Sequence, residues 1–222
     1  ALHRIDYNFG NNNQTDCEPI DYKTCDVTIY GPRSLEDGEW DLYFNKLQLK
    51  KTCPNLINIC YGEDGEKTRT FTWQSAVTDE GYLKYRLQGE EHWTKVETNK
   101  KLVRHRDSDA TIHSVIITDL TAGVYEYQAG EEGAWSDIST FEVKEYKEGD
   151  RCKFLWTTDQ QGWTEEEYRA WKTSIWNIMR WEDFDFHLNT GDISQNANRS
   201  FEWRYYFKYT DWTTRECCHM LT

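Results

Sequence analysis

From residue 50 to residue 145, apolar and polar positions alternate in short runs punctuated by Gly, Asp and Asn. The runs are 56–61 (LINICY), 69–74 (RTFTWQ), 82–87 (YLKYRL), 113–117 (HSVII), 123–128 (GVYEYQ) and 139–143 (STFEV). A period of two predicts half-buried strands. Closely spaced strands with turn signals between them predict an antiparallel β-sandwich, with aromatic residues at alternate positions lining its core. The turn 62–65 (GEDG) separates the first two runs. Upstream, 26–30 (DVTIY) alternates and stops at Gly31-Pro32, and 40–49 (WDLYFNKLQL) alternates again. Residues 1–49 are therefore expected to be a β-rich segment.

The pattern changes after a charged connector at 144–150 (KEYKEGD). The largely apolar run 153–158 (KFLWTT) is the form expected of a buried parallel strand. Thr164 and Glu167 have the spacing of a capping box, with Trp163 and Tyr168 at the positions of a hydrophobic staple. Glu165, Glu166 and Glu167 suit the positive end of a helix. Tyr168, Trp171, Ile175, Ile178 and Met179 share one helical face. A second strand is predicted at 185–190 (DFHLNT) and a second helix from 199–209 (RSFEWRYYFKY). Strand–helix–strand–helix is the repeat of a parallel sheet. The expected fold class is multidomain, β then α/β, divided as 1–49, 50–145 and 151–222.

Composition narrows the function. The 39 Asp+Glu exceed the 26 Lys+Arg, a net charge of −13 that argues against a nucleic-acid backbone as partner. No run approaches the length of a membrane span. With 11 Trp, 14 Tyr and 9 Phe the chain is not a disordered one. It opens at Ala1 without an initiator Met or an apolar leader core, so an upstream piece is expected to have been removed. The seven cysteines leave at least one thiol unpaired within the chain. Cys17/Cys25 and Cys53/Cys60 have spacings that suit bridges in an oxidising compartment. Buried free thiols in a cytosolic protein fit the cysteines equally, but the missing start together with the paired spacings favours an extracellular or secreted protein, with a cytoplasmic location left open. Cys217 and Cys218 read as packing residues, and the sequons at Asn13 and Asn198 carry little information.

Two aspartates follow the two predicted parallel strands, Asp159 after FLWTT and Asp192 after FHLNTG. Neighbouring strands of an open parallel sheet deliver their C-terminal ends to one edge. Either aspartate alone reads as a helix cap. Together they imply two carboxylates in one crevice, which repel unless they share a proton or bind cations. Hard divalent metals are the usual solution. Gly191 permits a sharp turn before Asp192. Gln161, Asn189, Gln195 and Asn196 are expected nearby as neutral oxygen donors. His187 reads as a core or surface histidine, His219 draws interest only through its place near the end of the chain, and His3, His92, His105 and His113 are expected at the surface.

TTDQQG followed about thirty residues later by LNTGDISQN resembles the first two motifs of the calcineurin-like metallophosphoesterases. RTFTWQ, HSVIITDLTAGVYEYQAG and WSDISTFEV are similar to strands of the fibronectin-III-like N-terminal domain of purple acid phosphatases. The resemblance spans roughly residues 53–222. It implies a fibronectin-III-like antiparallel β-sandwich followed by an incomplete metallophosphoesterase α/β sandwich. It also implies hydrolysis of a phosphorylated small molecule or other phosphoester, by two divalent metal ions (Fe, Mn, Zn or Mg) and a bridging hydroxide. Asp159 would bind the first metal and Asp192 would bridge both. Asn196 and Arg199 lie where they would meet a phosphate oxygen.

The departures from that family are specific. Many relatives carry His where Gln161 stands, and purple acid phosphatases carry Tyr where Gln195 stands. Without a tyrosinate ligand the purple ferric chromophore is not expected, and Gln161 would offer its amide oxygen to an ordinary divalent ion. The family's third motif follows a strand resembling 219–222 (HMLT), so the later ligands are expected outside these residues and the chain alone is expected to be inactive. The apolar faces of 154–158 and 184–190 would then be covered by the remaining C-terminal part of the catalytic domain or by another chain. The rival reading is a non-catalytic module in which the β-sandwich docks a surface or a larger assembly.

Overall fold

The computed structural model describes residues 54–104, 109–179, 181–197 and 199–221. Expectations for residues 1–49, for Cys17, Cys25 and Cys53, for His3 and His105, for both sequons and for the Met179 side chain lie outside the described residues.

Among the described residues nine strands come first: β1 (Asn55–Tyr61), β2 (Arg69–Ser75), β3 (Tyr82–Leu87), β4 (Thr94–Glu97), β5 (Asn99–Arg104), β6 (Asp109–Ile117), β7 (Gly123–Glu131), β8 (Ala134–Trp135) and β9 (Ser139–Val143). They form two antiparallel sheets. One has the order β1-β2-β6-β5; in the other, β4-β3-β7-β8 is extended by β9 pairing with β7. Alternate residues of each sheet face inward. Phe71, Trp73, Leu83, Tyr125, Tyr127 and Phe141 are buried with Ile57, Ile59, Val115 and Ile117 in one core. Burying such a side chain stabilises by about 1.5–3 kcal/mol each. Phe71 meets Tyr127 edge-on at 5.0 Å between centroids, and Tyr125 stacks on Phe141 at 5.2 Å. The Tyr125 hydroxyl turns back to Thr121, accepting from its amide and donating to its carbonyl, both at 3.1 Å. That contact is the tyrosine corner of immunoglobulin-like sandwiches.

Two features differ from the sequence reading. Strands β4 and β5 (TKVE and NKKLVR) were not anticipated. They are largely exposed strands at the outer positions of the two sheets, and charged residues replace the alternation that marks a half-buried strand. His113, expected at the surface, is 1% exposed on β6 and stacks on Trp73 of β2 at 5.1 Å. Its two ring nitrogens meet the hydroxyls of Ser75 and Thr98 at 2.8 and 3.1 Å. A neutral imidazole with both nitrogens satisfied is tolerated in a core. Burial, helped by the positive Lys100, lowers its pKa to about 4.

The connector leads to β10 (Phe154–Thr157), α1 (Glu165–Met179), β11 (Phe186–Asn189), α2 (Ser200–Thr214) and β12 (Cys218–Leu221). The three strands are parallel in the order β10-β11-β12. Leu155, His187 and His219 are in register on one face and are buried. Trp171 of α1 stacks over His187 at 6.5 Å, and Tyr206 of α2 reaches His219. On the opposite face β10 is open, with Phe154 48% and Trp156 66% exposed, whereas Phe186 and Cys218 in register with Phe154 pack against the sandwich; Phe154 stacks on Phe186. The expected burial of β10 thus holds for one face only.

Helix α1 departs from its predicted details as well. Glu167 accepts from the amides of Thr164 and Trp163, but the Thr164 hydroxyl turns to the same carboxylate, so one arm of the capping box is made. The staple is replaced: Trp163 is 62% exposed beneath the Arg199 guanidinium, while Tyr168 is fully buried and donates to the Ile193 carbonyl at 3.0 Å. Tyr168 and Ile175 lie on the buried face, Trp171 is half-buried, and Ile178 is exposed.

The parallel unit packs against the sandwich. Cys218 enters the sandwich core, and Tyr61 meets Phe186 edge-on. The Tyr127 hydroxyl donates to the Arg215 carbonyl, and Arg215 donates to Ser139 Oγ at 2.7 Å. Cys60 carries a free thiol that donates to the His219 carbonyl at 2.7 Å. Among the described residues no helix is long and apolar enough to cross a membrane.

Candidate functional site

The C-terminal ends of β10 and β11 come together as parallel register requires. Thr157 lies opposite Asn189, and the Thr190 amide donates to the Thr157 carbonyl at 3.0 Å. Beyond the strands, the two turns are joined by their own backbones. Asp159 N–H donates to the Gly191 carbonyl at 3.2 Å, and Gln161 N–H to the Asp192 carbonyl at 2.8 Å. The turns bearing the two predicted aspartates are therefore one structure, with both side chains exposed to solvent.

Both aspartates adopt left-handed backbone, φ 56° at Asp159 and 51° at Asp192, following Gly191 at 114°. An L-residue there costs roughly 1–2 kcal/mol, least for Asp and Asn. Matching strain at the ends of two neighbouring strands is the form in which functional turns commonly occur. Asp119 and Leu56 share the conformation elsewhere, so the pairing carries the signal rather than φ alone. Thr158 Oγ1 donates to the Asp159 carboxylate at 2.8 Å.

The other candidates differ in their surroundings. Gln161 Oε1 is buried and meets no hydrogen-bond donor among the described residues. Gln195 is exposed, and the amide of Asn196 donates to Glu202 Oε2 at 2.8 Å. Arg199 holds its guanidinium near the rings of Trp163 and Phe201 and 3.7 Å from Glu202. Residues following the first aspartate and residues following the second thus meet at Arg199 and Trp163. Asn189 is not the open oxygen donor expected of it. It is fully buried, donating to Thr157 Oγ1 and the Tyr206 hydroxyl and accepting from the Gly191 amide at 3.0 Å.

Glu202 was missed by the sequence reading. It is fully buried in the first turn of α2, and its Oε2 accepts from Ser194 Oγ as well as from Asn196 N. The loop after Asp192 is pinned from below by this one carboxylate. A glutamate three residues after Arg199 resembles an ordinary helix-start acid, and nothing in the local pattern distinguishes it.

Beneath the turns lies a buried polar network. His187 meets Thr157 Oγ1 at 2.6 Å and Thr213 Oγ1 at 3.3 Å; His219 meets the Tyr206 hydroxyl at 2.8 Å and Asn58 Oδ1 at 2.7 Å. Burial lowers the His187 pKa to about 4, and burial with the neighbouring His187 lowers His219 to about 3. Both are core histidines. Among the described residues no group of three or more His, Cys, Asp or Glu side chains gathers as a metal cluster.

No curated protein matches the chain significantly. Among solved structures, the Dscam1 Ig7 domain, isoform 5, is similar over 42% of this chain and 97% of that one, at 15% identity and a TM-score of 0.21. Residues 54–143 match the family model described as Purple acid Phosphatase, N-terminal domain. The sandwich of this chain is thus similar to the N-terminal domain of the purple acid phosphatases, the family its strand motifs resemble.

Proposed function

We propose that the protein is a metal-dependent phosphoester hydrolase whose catalytic domain begins near residue 151, behind a fibronectin-III-like sandwich at 50–145. The observation that supports this most directly is the backbone bonding of the Asp159 turn to the Asp192 turn. The residues present fit a hard cation: two exposed carboxylates on joined turns, and a buried Gln161 oxygen without a donor. Asp159 and Gln161 would hold one divalent ion (Fe, Mn, Zn or Mg), and Asp192 would reach both ions of a pair. When bound, such ions polarise the phosphoryl oxygens and lower the pKa of water.

The chain's own residues do the positioning. Asn189 fixes the Gly191 amide and so the approach to Asp192. Glu202 fixes Asn196 and draws Arg199 toward the turns, where a guanidinium would meet a phosphate oxygen. The further ligands, and the layer covering Phe154 and Trp156, are assigned to the remaining C-terminal part of the catalytic domain. The test is hydrolysis of p-nitrophenyl phosphate by protein containing the whole catalytic domain. Asp192→Asn and Asp159→Asn are each expected to abolish metal-dependent turnover while the fold, read by circular dichroism, is kept. Unchanged turnover in Asp192→Asn would refute the assignment. Residues 1–222 alone are expected to show no turnover.

A further inference from the structure

A different surface, on the sandwich itself, carries a second inference independent of the hydrolase reading. On the solvent side of β3, β4, β7 and β8, three cations and three aromatic rings interleave. Arg86 lies over Trp93 at 4.4 Å; Lys84 lies between Trp93 at 5.3 Å and Trp135 at 4.4 Å; Lys95 lies between Trp135 at 5.5 Å and Tyr82 at 4.0 Å. Gly130 stands between Tyr82 and Trp135 in the strand register, so no side chain separates these two rings across β7.

The ladder contains an uncompensated cost. Lys84 and Lys95 are directly opposite each other on β3 and β4. Like charges at opposed positions of an antiparallel pair are destabilising. Arg86 is neutralised by Glu126 at 2.6 Å, but among the described residues neither lysine reaches a carboxylate within ion-pair distance. Glu132 attracts Lys84 only from farther away, and burial together with Lys95 still holds the Lys84 pKa below its usual value. The rings attract each ammonium but do not cancel its charge. Two neighbouring ammonium groups walled by tryptophans are a seat for one anionic group, which would remove the repulsion.

We infer that this face docks an anionic polysaccharide, with a sulfate or carboxylate of the sugar chain seated between Lys84 and Lys95. The surrounding charge selects that class. A chain of net charge −13 repels a broad anionic surface such as an acidic membrane or a duplex. A thin linear polyanion can follow a single cationic stripe. The rings already hold cations against their faces, which leaves little for the base stacking that single-stranded nucleic acid uses.

The test uses the 222-residue chain with heparin as probe. Titration at low salt should show salt-sensitive binding, with none to neutral dextran. Lys84→Gln and Lys95→Gln should each weaken it about tenfold, the scale of one close charge pair. Lys95→Gln should at the same time raise the melting temperature of the free protein, because it removes the opposed charge. Absence of heparin binding, binding unchanged in both variants, or equal binding to an oligothymidine or to phosphatidylserine vesicles would each overturn the proposal. So would a lowered melting temperature in Lys95→Gln, the result expected if the ladder serves only to hold the sheet together.

Discussion

Gly81 shows how closely the sandwich is packed around its buried histidine. A Cβ at this position would run into the His113 ring and come within 2.8 Å of Thr98 Oγ1. His113 cannot retreat, because Trp73 stacks on it and its second nitrogen is held by Ser75. Gly81→Ala is therefore expected to destabilise by about 1–3 kcal/mol, the usual cost of overpacking. Urea denaturation measures it, and an alanine variant as stable as the parent would show that the His113 pocket has slack. Nothing in the sequence announced this pocket. A histidine on an alternating strand looks the same whether it faces water or core, and the difference lies in Ser75 and Thr98, hydroxyls brought from two other parts of the chain. The aspartates are the opposite case. That the turns bearing Asp159 and Asp192 lie side by side was legible because it depends only on where two strands end, whereas the surroundings of Asn189 are set by Thr157 and Tyr206 on other elements.

At the scale of single elements, two side chains each anchor a turn, one in the sandwich and one beside the candidate site. The Tyr125 hydroxyl closes the corner into β7 through Thr121, and its ring remains in the core without it. Tyr125→Phe is expected to lose about 1 kcal/mol, the net contribution of such hydrogen bonding, with little change in spectroscopic signature. A loss near zero in chemical denaturation would mean that water replaces the contact. Glu202 anchors the other end. Truncation to alanine strands the Ser194 hydroxyl and the Asn196 amide, at an expected cost of about 1–3 kcal/mol. Its distinctive readout is local: faster amide exchange at Asn196 with β2 and β6 unaffected, and uniform acceleration would deny it the anchoring role. The strongly patterned elements were readable in advance. Strands β3 and β9 lie at the residues that alternation marks, because one face of each is buried. Strands β4 and β5 were unreadable because their residues are set by pairing rather than by burial. The Trp163–Tyr168 staple failed because Tyr168 has a stronger partner in Ile193 and Trp163 a cation in Arg199.

Over the whole molecule, the sandwich and the parallel unit share polar contacts that make them one thermodynamic object near neutral pH. Asn58 of β1 holds His219 of β12, and Tyr127 of β7 holds the Arg215 carbonyl. A single cooperative unfolding transition is expected, and its response to acid follows from the buried imidazoles. His113 and His187 have folded pKa values lowered to about 4 and His219 to about 3, against 6.5 when unfolded. Below pH 6.5 the unfolded chain binds protons that the folded chain refuses, so stability is complete above 6.5 and declines as pH falls toward 4. Each histidine contributes a slope of up to about 1.4 kcal/mol per pH unit in that window. Asp185 acts lower: burial pushes its carboxyl up, but hydrogen bonds from Lys144 and the Lys153 amide outweigh burial and hold it below its usual value. Its contribution is therefore lost only under still more acidic conditions. The melting temperature should fall steeply between pH 6.5 and 4.5, and His219→Gln should flatten that dependence while lowering stability at pH 7. A melting temperature constant from pH 7 to 5 would mean that these imidazoles accept protons in the folded state, and the sealed network beneath the strand ends would have to open to water.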